Sequence, residues 1–308
     1  MLIALTKQIK LVRPEALAVY PYSNSLFIDD ETKAMIDAGS GGKAYQEVPT
    51  DRIDLLLLTH HHFDHTNGWV FFKNAKIMAG QEDGAAFQDE KQFRERHGYS
   101  RWAELMGGSQ VEEWERLWQM PPDVPTQPGF QNIQLDGVFK DGDVFQLGET
   151  CVQAIHAPGH SRGHYAFFFP QEKILFSSDL DVSPRGPWYG YGDCNLDDLI
   201  DSIHKLMDLQ PEILVSSHRR VIDTGIKEAF QAYLNIALQR EARILEFLRE
   251  PHTIDEIAAQ NIISEWERKI KTTEFFAKMM IVQHLKRLKS QGKIEATGDK
   301  RYVKIAGV

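Results

Sequence analysis

Thr59-His60-His61-His62-Phe63-Asp64-His65-Thr66-Asn67-Gly68 places four histidines and an aspartate in six consecutive positions. The stretch follows Ile53-Asp54-Leu55-Leu56-Leu57-Leu58, a short apolar run that reads as a buried strand. In α/β proteins the side chains beyond the carboxyl end of such a strand face a crevice rather than the core. Imidazole and carboxylate together suit a borderline metal ion such as zinc. On an extended exit from the strand, His60 and His62 face one side and His61 the other. His61 is therefore read as a surface or packing residue. If the chain then turns into a helix, Asp64 and His65 come round on its first turn. That makes two pairs of side chains, each able to hold one ion.

The same arrangement recurs further along. Strand-like Thr150–Ile155 runs into His156-Ala157-Pro158-Gly159-His160-Ser161-Arg162-Gly163-His164. Lys173–Phe176 ends in Ser177-Ser178-Asp179, and Pro211–Val215 ends in Ser216-Ser217-His218. One histidine after one strand is more often structural. Here successive strands each deliver a ligand-type residue at the same end, which makes His160, Asp179 and His218 candidates beside His60, His62, Asp64 and His65.

The remaining segments frame this set. Leu17–Tyr22, Ser25–Ile28 and Ala34–Asp37 read as strands, and the opening run MLIALTKQIKLVRP as a first strand. That run is too short in apolar residues for a signal peptide or membrane span. The glycines of Ala38-Gly39-Ser40-Gly41-Gly42 make either a plain turn or a close approach of backbone to the site. Residues 81–130 are an inserted helical stretch. Its Phe87, Phe93, Trp102, Leu105, Trp114, Leu117 and Trp118 form either a lid over a substrate pocket or a packing surface, including one between copies in a homodimer. Asn195 caps a helix running to Leu209, and Thr253 with Glu256 makes a capping box for another. Helices followed by a hairpin turning at Gly298-Asp299 resemble a winged-helix module. The expected domains are residues 1–226 and 227–308.

The chain has 308 residues, 42% of them hydrophobic, and two cysteines, Cys151 and Cys194, without a CxxC pair. A reducing cytoplasm is the expected compartment. Net charge is −9, which argues against nucleic acid as main partner. Residues 264–308 are the exception, with 11 Lys and Arg against 5 Asp and Glu.

On these residues the chain resembles the metallo-β-lactamase superfamily of hydrolases. His60, His62, Asp64 and His65 match its HxHxDH motif, and Pro158 to His164 its PGHxxGH-type motif. Asp179 matches the bridging aspartate and His218 the last histidine. The resemblance covers about Ala16 to Asp223; the C-terminal part resembles, more weakly, the branch with an appended winged helix. It implies an α/β fold, a four-layer αββα sandwich with the site along one edge of two facing sheets. It also implies two divalent ions, zinc by default and iron or manganese as alternatives. One ion would take His60, His62 and His160, the other Asp64, His65 and His218, with Asp179 between them. His156 and His164 would support the ligands from behind. The family's Gly-Asp at the bridge is Ser178-Asp179 here, and its final Pro-Gly-His-Gly is replaced around Ser217-His218-Arg219-Arg220. The di-iron flavoproteins of this fold carry glutamate where His62 stands, so hydrolysis is expected rather than redox chemistry.

A water held by such ions has its pKa lowered from about 15.7 towards about 7 and attacks a carbonyl or phosphoryl centre. Asp64 would orient it or pass a proton to the leaving group. The expected substrate is a small ester, thioester or lactone, with Trp188, Tyr189, Tyr191 and Arg219 as candidate contacts. The alternative is a nuclease that binds nucleic acid through the basic C-terminal part.

Overall fold

The computed structural model describes residues 1–108, 119–263 and 271–306. Its first sheet pairs, in order, β1 (Leu2–Ala4), β2 (Ile9–Val12), β3 (Ser25–Ile28), β4 (Ala34–Ile36), β5 (Leu55–Leu58), β6 (Lys76–Gly80) and β7 (Gly137–Phe139). Strands β1 to β4 are antiparallel neighbours, and β4 to β7 are parallel. The second sheet contains β8 (Val144–Gln146), β9 (Cys151–His156), β10 (Tyr165–Phe169), β11 (Ile174–Phe176) and β12 (Ile213–Val215), in spatial order β12-β11-β10-β9-β8. Only β11 and β12 run parallel there.

Side-chain alternation divides the core into layers. Leu57 of β5 and Phe167 and Phe169 of β10 meet between the sheets, with Leu26, Ile36 and Val215. Leu56 and Leu58 point the other way, onto Met35, Tyr45 and Phe72. The helices in chain order are α1 (Gly42–Tyr45), α2 (Phe63–Thr66), α3 (Gly84–Gln88), α4 (Glu90–His97), α5 (Trp102–Met106), α6 (Leu196–Asp208), α7 (Ile226–Phe247), α8 (Ile254–Ala259) and α9 (Lys271–Ser290). The outer face of the second sheet, with Phe168, Leu175 and Leu214, is covered by Leu199 and Ile203 of α6 and Phe230, Tyr233 and Leu234 of α7. Each such fully buried Phe or Leu contributes about 1.5–3 kcal/mol.

The same buried cluster continues into Ile257 of α8, Ile281 and Leu288 of α9, and Ile294. The division after residue 226 therefore passes through one packed core. Thr253 accepts from the Glu256 N–H and forms the capping box. The terminal hairpin pairs β13 (Ile294–Ala296) with β14 (Tyr302–Lys304) around the Gly298-Asp299 turn.

Two strand expectations are corrected. The opening run is two strands, not one: Thr6 Oγ1 accepts from the backbone N–H groups of Gln8 and Ile9 and closes a turn between β1 and β2. Leu17–Tyr22 is a loop. The Val19 and Tyr22 amides bond back to Leu17 and Val19 carbonyls, and Pro21 has no N–H for a ladder. In the insertion, α3, α4 and α5 are present with Phe87, Phe93, Trp102 and Leu105 buried; Trp114, Leu117 and Trp118 lie outside the described residues. Among the described residues no helix is long and apolar enough to cross a membrane.

Candidate metal centre

Strand β5 ends at Leu58, and the chain bends at Thr59 and His61 before His62, the N-cap of α2, with φ −68° and ψ 148°. Asp64 and His65 then lie on the helix's first turn. His160 follows β9 in the loop to β10, Asp179 follows β11, and His218 follows β12. All seven candidate ligands meet at one end of the two sheets.

They form two groups. In the first, His62 Nδ1 lies 2.8 Å from His60 Nε2 and 3.0 Å from His160 Nε2, and Asp179 Oδ2 is 3.2 Å from His160 Nε2. In the second, Asp179 Oδ1 lies 2.9 Å from His65 Nε2 and 3.2 Å from His218 Nε2, while Asp64 Oδ2 is 3.4 Å from His218 Nε2. One oxygen of Asp179 thus faces each group.

Burial, reinforced by the neighbouring imidazoles, holds His60 and His62 well below the ordinary histidine pKa. Both are neutral rings with lone pairs that converge. His65 Nε2 and Asp179 Oδ1 are buried and close, yet neither has a hydrogen-bond partner. In the second group burial depresses His65, but Asp179, Asp37 and Asp64 outweigh it and lift the ring well above its ordinary value. Burial likewise lowers His218, and the Asp179 and Asp64 carboxylates reverse that to about 9. Convergent lone pairs on one side and excess negative charge on the other are what a pair of cations would satisfy. The donors are three imidazoles and a carboxylate in one group, and two imidazoles and two carboxylates in the other. Both sets fit zinc, iron or manganese.

A family model of the Metallo-beta-lactamase superfamily matches residues 20–218. The chain belongs to that superfamily. Among curated proteins it is 27% identical to the acyl-coenzyme A thioesterase MBLAC2 of Gallus gallus, over 52% of this chain and 53% of that one. It is 26% identical to the hydroxyacylglutathione hydrolase GloC of Haemophilus influenzae, over 68% of this chain and 92% of that one. The chain spans between 53% and 62% of the length of the curated thioesterases it matches. The metallo-beta-lactamase family protein TTHA1429 of Thermus thermophilus shares its fold, with a TM-score of 0.77, 20% identity, and coverage of 98% of this chain and 100% of that one.

One residue beside this metallo-β-lactamase centre, Asp37, was not singled out from sequence. Asp37, at the end of β4, accepts from the Thr59 N–H at 2.8 Å and from the Thr59 hydroxyl at 2.9 Å. Its Oδ2 also lies 2.7 Å from His65 Nδ1, which sets the His65 tautomer and leaves Nε2 facing Asp179. Asp37 carries the same signal as the others, an acidic residue ending a buried strand, and it ends the strand parallel to β5. Ser178 stands where glycine is common because its φ is +49°, a left-handed conformation. Its hydroxyl pairs with Thr59 Oγ1 at 2.9 Å, which offsets part of that strain. Gly39 carries the glycine loop against the centre: a Cβ there would lie 1.7 Å from the Asp64 carbonyl.

His164 stands behind the candidate ligands. Burial, with the charge of His160, pulls it down to about 3. The neutral ring faces the Ala157 carbonyl through Nδ1 at 2.9 Å and accepts the Asp179 N–H at Nε2. His156 does not join it. Its Nε2 faces the Arg162 carbonyl at 3.0 Å and its ring lies against Tyr165, because β9 points this side chain away from the site end. His61 is buried rather than at the surface, and one oxygen of Asp83 meets both its N–H and its Nδ1 at 2.9 and 3.0 Å. Arg96 of α4 neutralises the other oxygen at 2.7 Å, which ties the insertion to the motif.

The candidate substrate residues divide. Trp188 and Tyr191 stand beside the first group, with ring centroids 6.0 and 4.5 Å from His62. Tyr189 does not: it is fully buried, and its hydroxyl meets His284 at 2.8 Å and Arg240 at 3.3 Å, inside the C-terminal core. Arg219 is half-buried and donates to Ser183 Oγ at 3.0 Å, next to His218.

Proposed function

We propose that the chain is a binuclear metal-dependent hydrolase of small thioesters, with His60, His62 and His160 on one ion, Asp64, His65 and His218 on the other, and Asp179 between them. The observation that carries this reading is the placement of one Asp179 oxygen toward each group. Two bound ions, zinc by default, would acidify water and polarise a carbonyl oxygen.

The remaining work falls to side chains. Asp179 sets the spacing of the two groups, and its backbone is held by His164 Nε2 at 3.2 Å and the Tyr233 hydroxyl at 3.1 Å. Asp64 presents a carboxylate beside His218 that orients a water proton and holds it for the leaving group. A thiol has a pKa near 8.5, so a thiolate leaves with little protonation and no separate buried acid is required. Relatives named as an acyl-coenzyme A thioesterase and a hydroxyacylglutathione hydrolase support thioesters over the lactone and simple-ester readings.

The nuclease alternative is the less favoured reading. Helix α9, the third helix of the winged-helix reading, is buried on most sides. Its Lys278 pairs with Asp255 and Glu274, its Arg287 with Asp197 and Glu241, and Arg301 beyond it with Glu256 and Asp299. These three cations are committed to ion pairs within the chain, which leaves Lys271, Lys286, Lys289 and Lys300, among the described residues from 271 on, as the exposed basic residues a phosphate backbone could meet.

The test is metal analysis of metal-replete protein joined to a panel of thioester, lactone, β-lactam and single-stranded nucleic-acid substrates. About two ions per chain and fastest turnover of thioesters are expected. Fewer than about one ion per chain, or preferred cleavage of nucleic acid, would sink the reading.

A further inference from the structure

The two sides of the metal centre differ in chemistry. Beside His62 and His160 stand Trp188, Tyr191 and Phe276, three half-buried rings from two distant segments. Trp188 and Tyr191 are 4.5 Å apart, and Phe276 of α9 packs on them at 5.6 and 5.2 Å. The wall is held firmly. The Trp188 carbonyl faces His160 Nδ1 at 3.0 Å, and Gln283 of α9 donates to the Tyr191 carbonyl at 3.1 Å. Behind it, Phe275, Met279, Tyr99 and Trp102 form a buried apolar layer. A preformed aromatic wall of this kind takes an apolar group.

Beside the second group, two arginines directly follow His218, with the Asp181 carboxylate near the first of them. Arg219 is anchored to Ser183, and Arg220 is exposed next to it. A thioester of an anionic carrier thiol has the same asymmetry: an apolar acyl group on one side of the reacting carbonyl, and a thiol bearing phosphate or carboxylate groups on the other.

We infer that the site is polarised, with the acyl group of the substrate against Trp188, Tyr191 and Phe276 and its anionic thiol carrier toward Arg219 and Arg220. The inference rests on the thioester reading above. It makes the C-terminal helix α9, through Phe276, part of the acyl pocket, and it favours acyl groups long enough to reach the rings over acetyl.

The experiment compares acetyl and octanoyl esters of coenzyme A and of N-acetylcysteamine, an uncharged truncated thiol, on wild-type and variant protein with metal content measured alongside. Wild type is expected to prefer octanoyl to acetyl by at least about tenfold in kcat/KM. Phe276→Ala should reduce that preference about tenfold with little effect on metal content. Phe276→Leu, which retains apolar volume, should keep most of it. Arg219→Gln should raise KM for the coenzyme A esters about tenfold and affect the truncated esters far less. Equal losses on all four substrates in both variants, or no acyl preference in wild type, would overturn the polarised site while leaving the hydrolase intact. A wild type that is fully metallated yet cleaves no thioester would overturn the thioester reading and this inference with it.

Discussion

Asp37 touches no substrate, and its single charge governs half of the centre. Its Oδ2 receives both the Thr59 hydroxyl and His65 Nδ1. Asparagine at this place puts an amide N–H₂ or a weaker carbonyl opposite the ring and frees the other tautomer, whose Nε2 carries the proton and cannot act as a ligand. Asp37→Asn should therefore weaken the ion held by Asp64, His65 and His218 by about 10–100-fold and leave the histidine trio loaded. Chelator competition followed by metal analysis would show one ion lost before the other; loss of both together would contradict this. Residue by residue, the motif was legible because histidine and aspartate at strand ends have few other uses. Asp37 obeys the same rule but lies outside the motifs that the sequence matches. His156 is taken up by its cross-strand partner Tyr165, a pairing that spacing in the sequence does not contain.

Among the elements, strands delivering ligands were readable from apolar runs that stop abruptly at polar residues. The joining of α7 to α9 was not, since it depends on contacts between residues more than forty positions apart. Glu241 of α7 accepts from Arg287 of α9 and faces His284 Nδ1 at 3.5 Å. Burial alone would raise the Glu241 carboxyl, but the His284 and Arg287 contacts outweigh it and hold it below the ordinary glutamate value. A carboxyl depressed in the folded state stabilises above its unfolded pKa, about 4.3, and that contribution disappears as pH falls through the lower folded value. Glu241→Gln should thus cost about 1–3 kcal/mol at pH 7, with the difference from wild type shrinking below about pH 4. Denaturant unfolding at pH 7 and pH 3.5 measures it; a constant difference would assign the loss to packing instead. Leu17–Tyr22 departs from the strand expectation for an opposite reason. Its apolar residues suggested a strand, yet Leu17, Val19 and Tyr20 are exposed beside His218, whose Nδ1 faces the Ala18 carbonyl at 3.2 Å.

At the level of the molecule, charge and length suggested two units, and the buried cluster joins them. Phe230, Tyr233 and Leu234 of α7 help cover Phe168 and Leu175 of the second sheet, so a chain ending at residue 226 would open the part of that face that α6 does not cover. Residues 1–226 expressed alone should fail to give a soluble protein with a cooperative thermal transition. A soluble, cooperatively melting fragment would show instead that the division after 226 is a true domain boundary. Composition could not reveal this, because a helix that covers a sheet and a helix that starts a separate domain share the same apolar periodicity.

The Tyr233 hydroxyl on the Asp179 carbonyl has a consequence for how such chains can be recombined. The family match ends at residue 218, yet Asp179, which faces both ligand groups, is gripped by a helix that begins after it. A chimera joining this chain's catalytic half to a relative's C-terminal half would exchange that grip, and the acyl wall with it. The inheritable unit of the site is therefore longer than its motifs, and a crossover after the last histidine separates parts that can only be transplanted together.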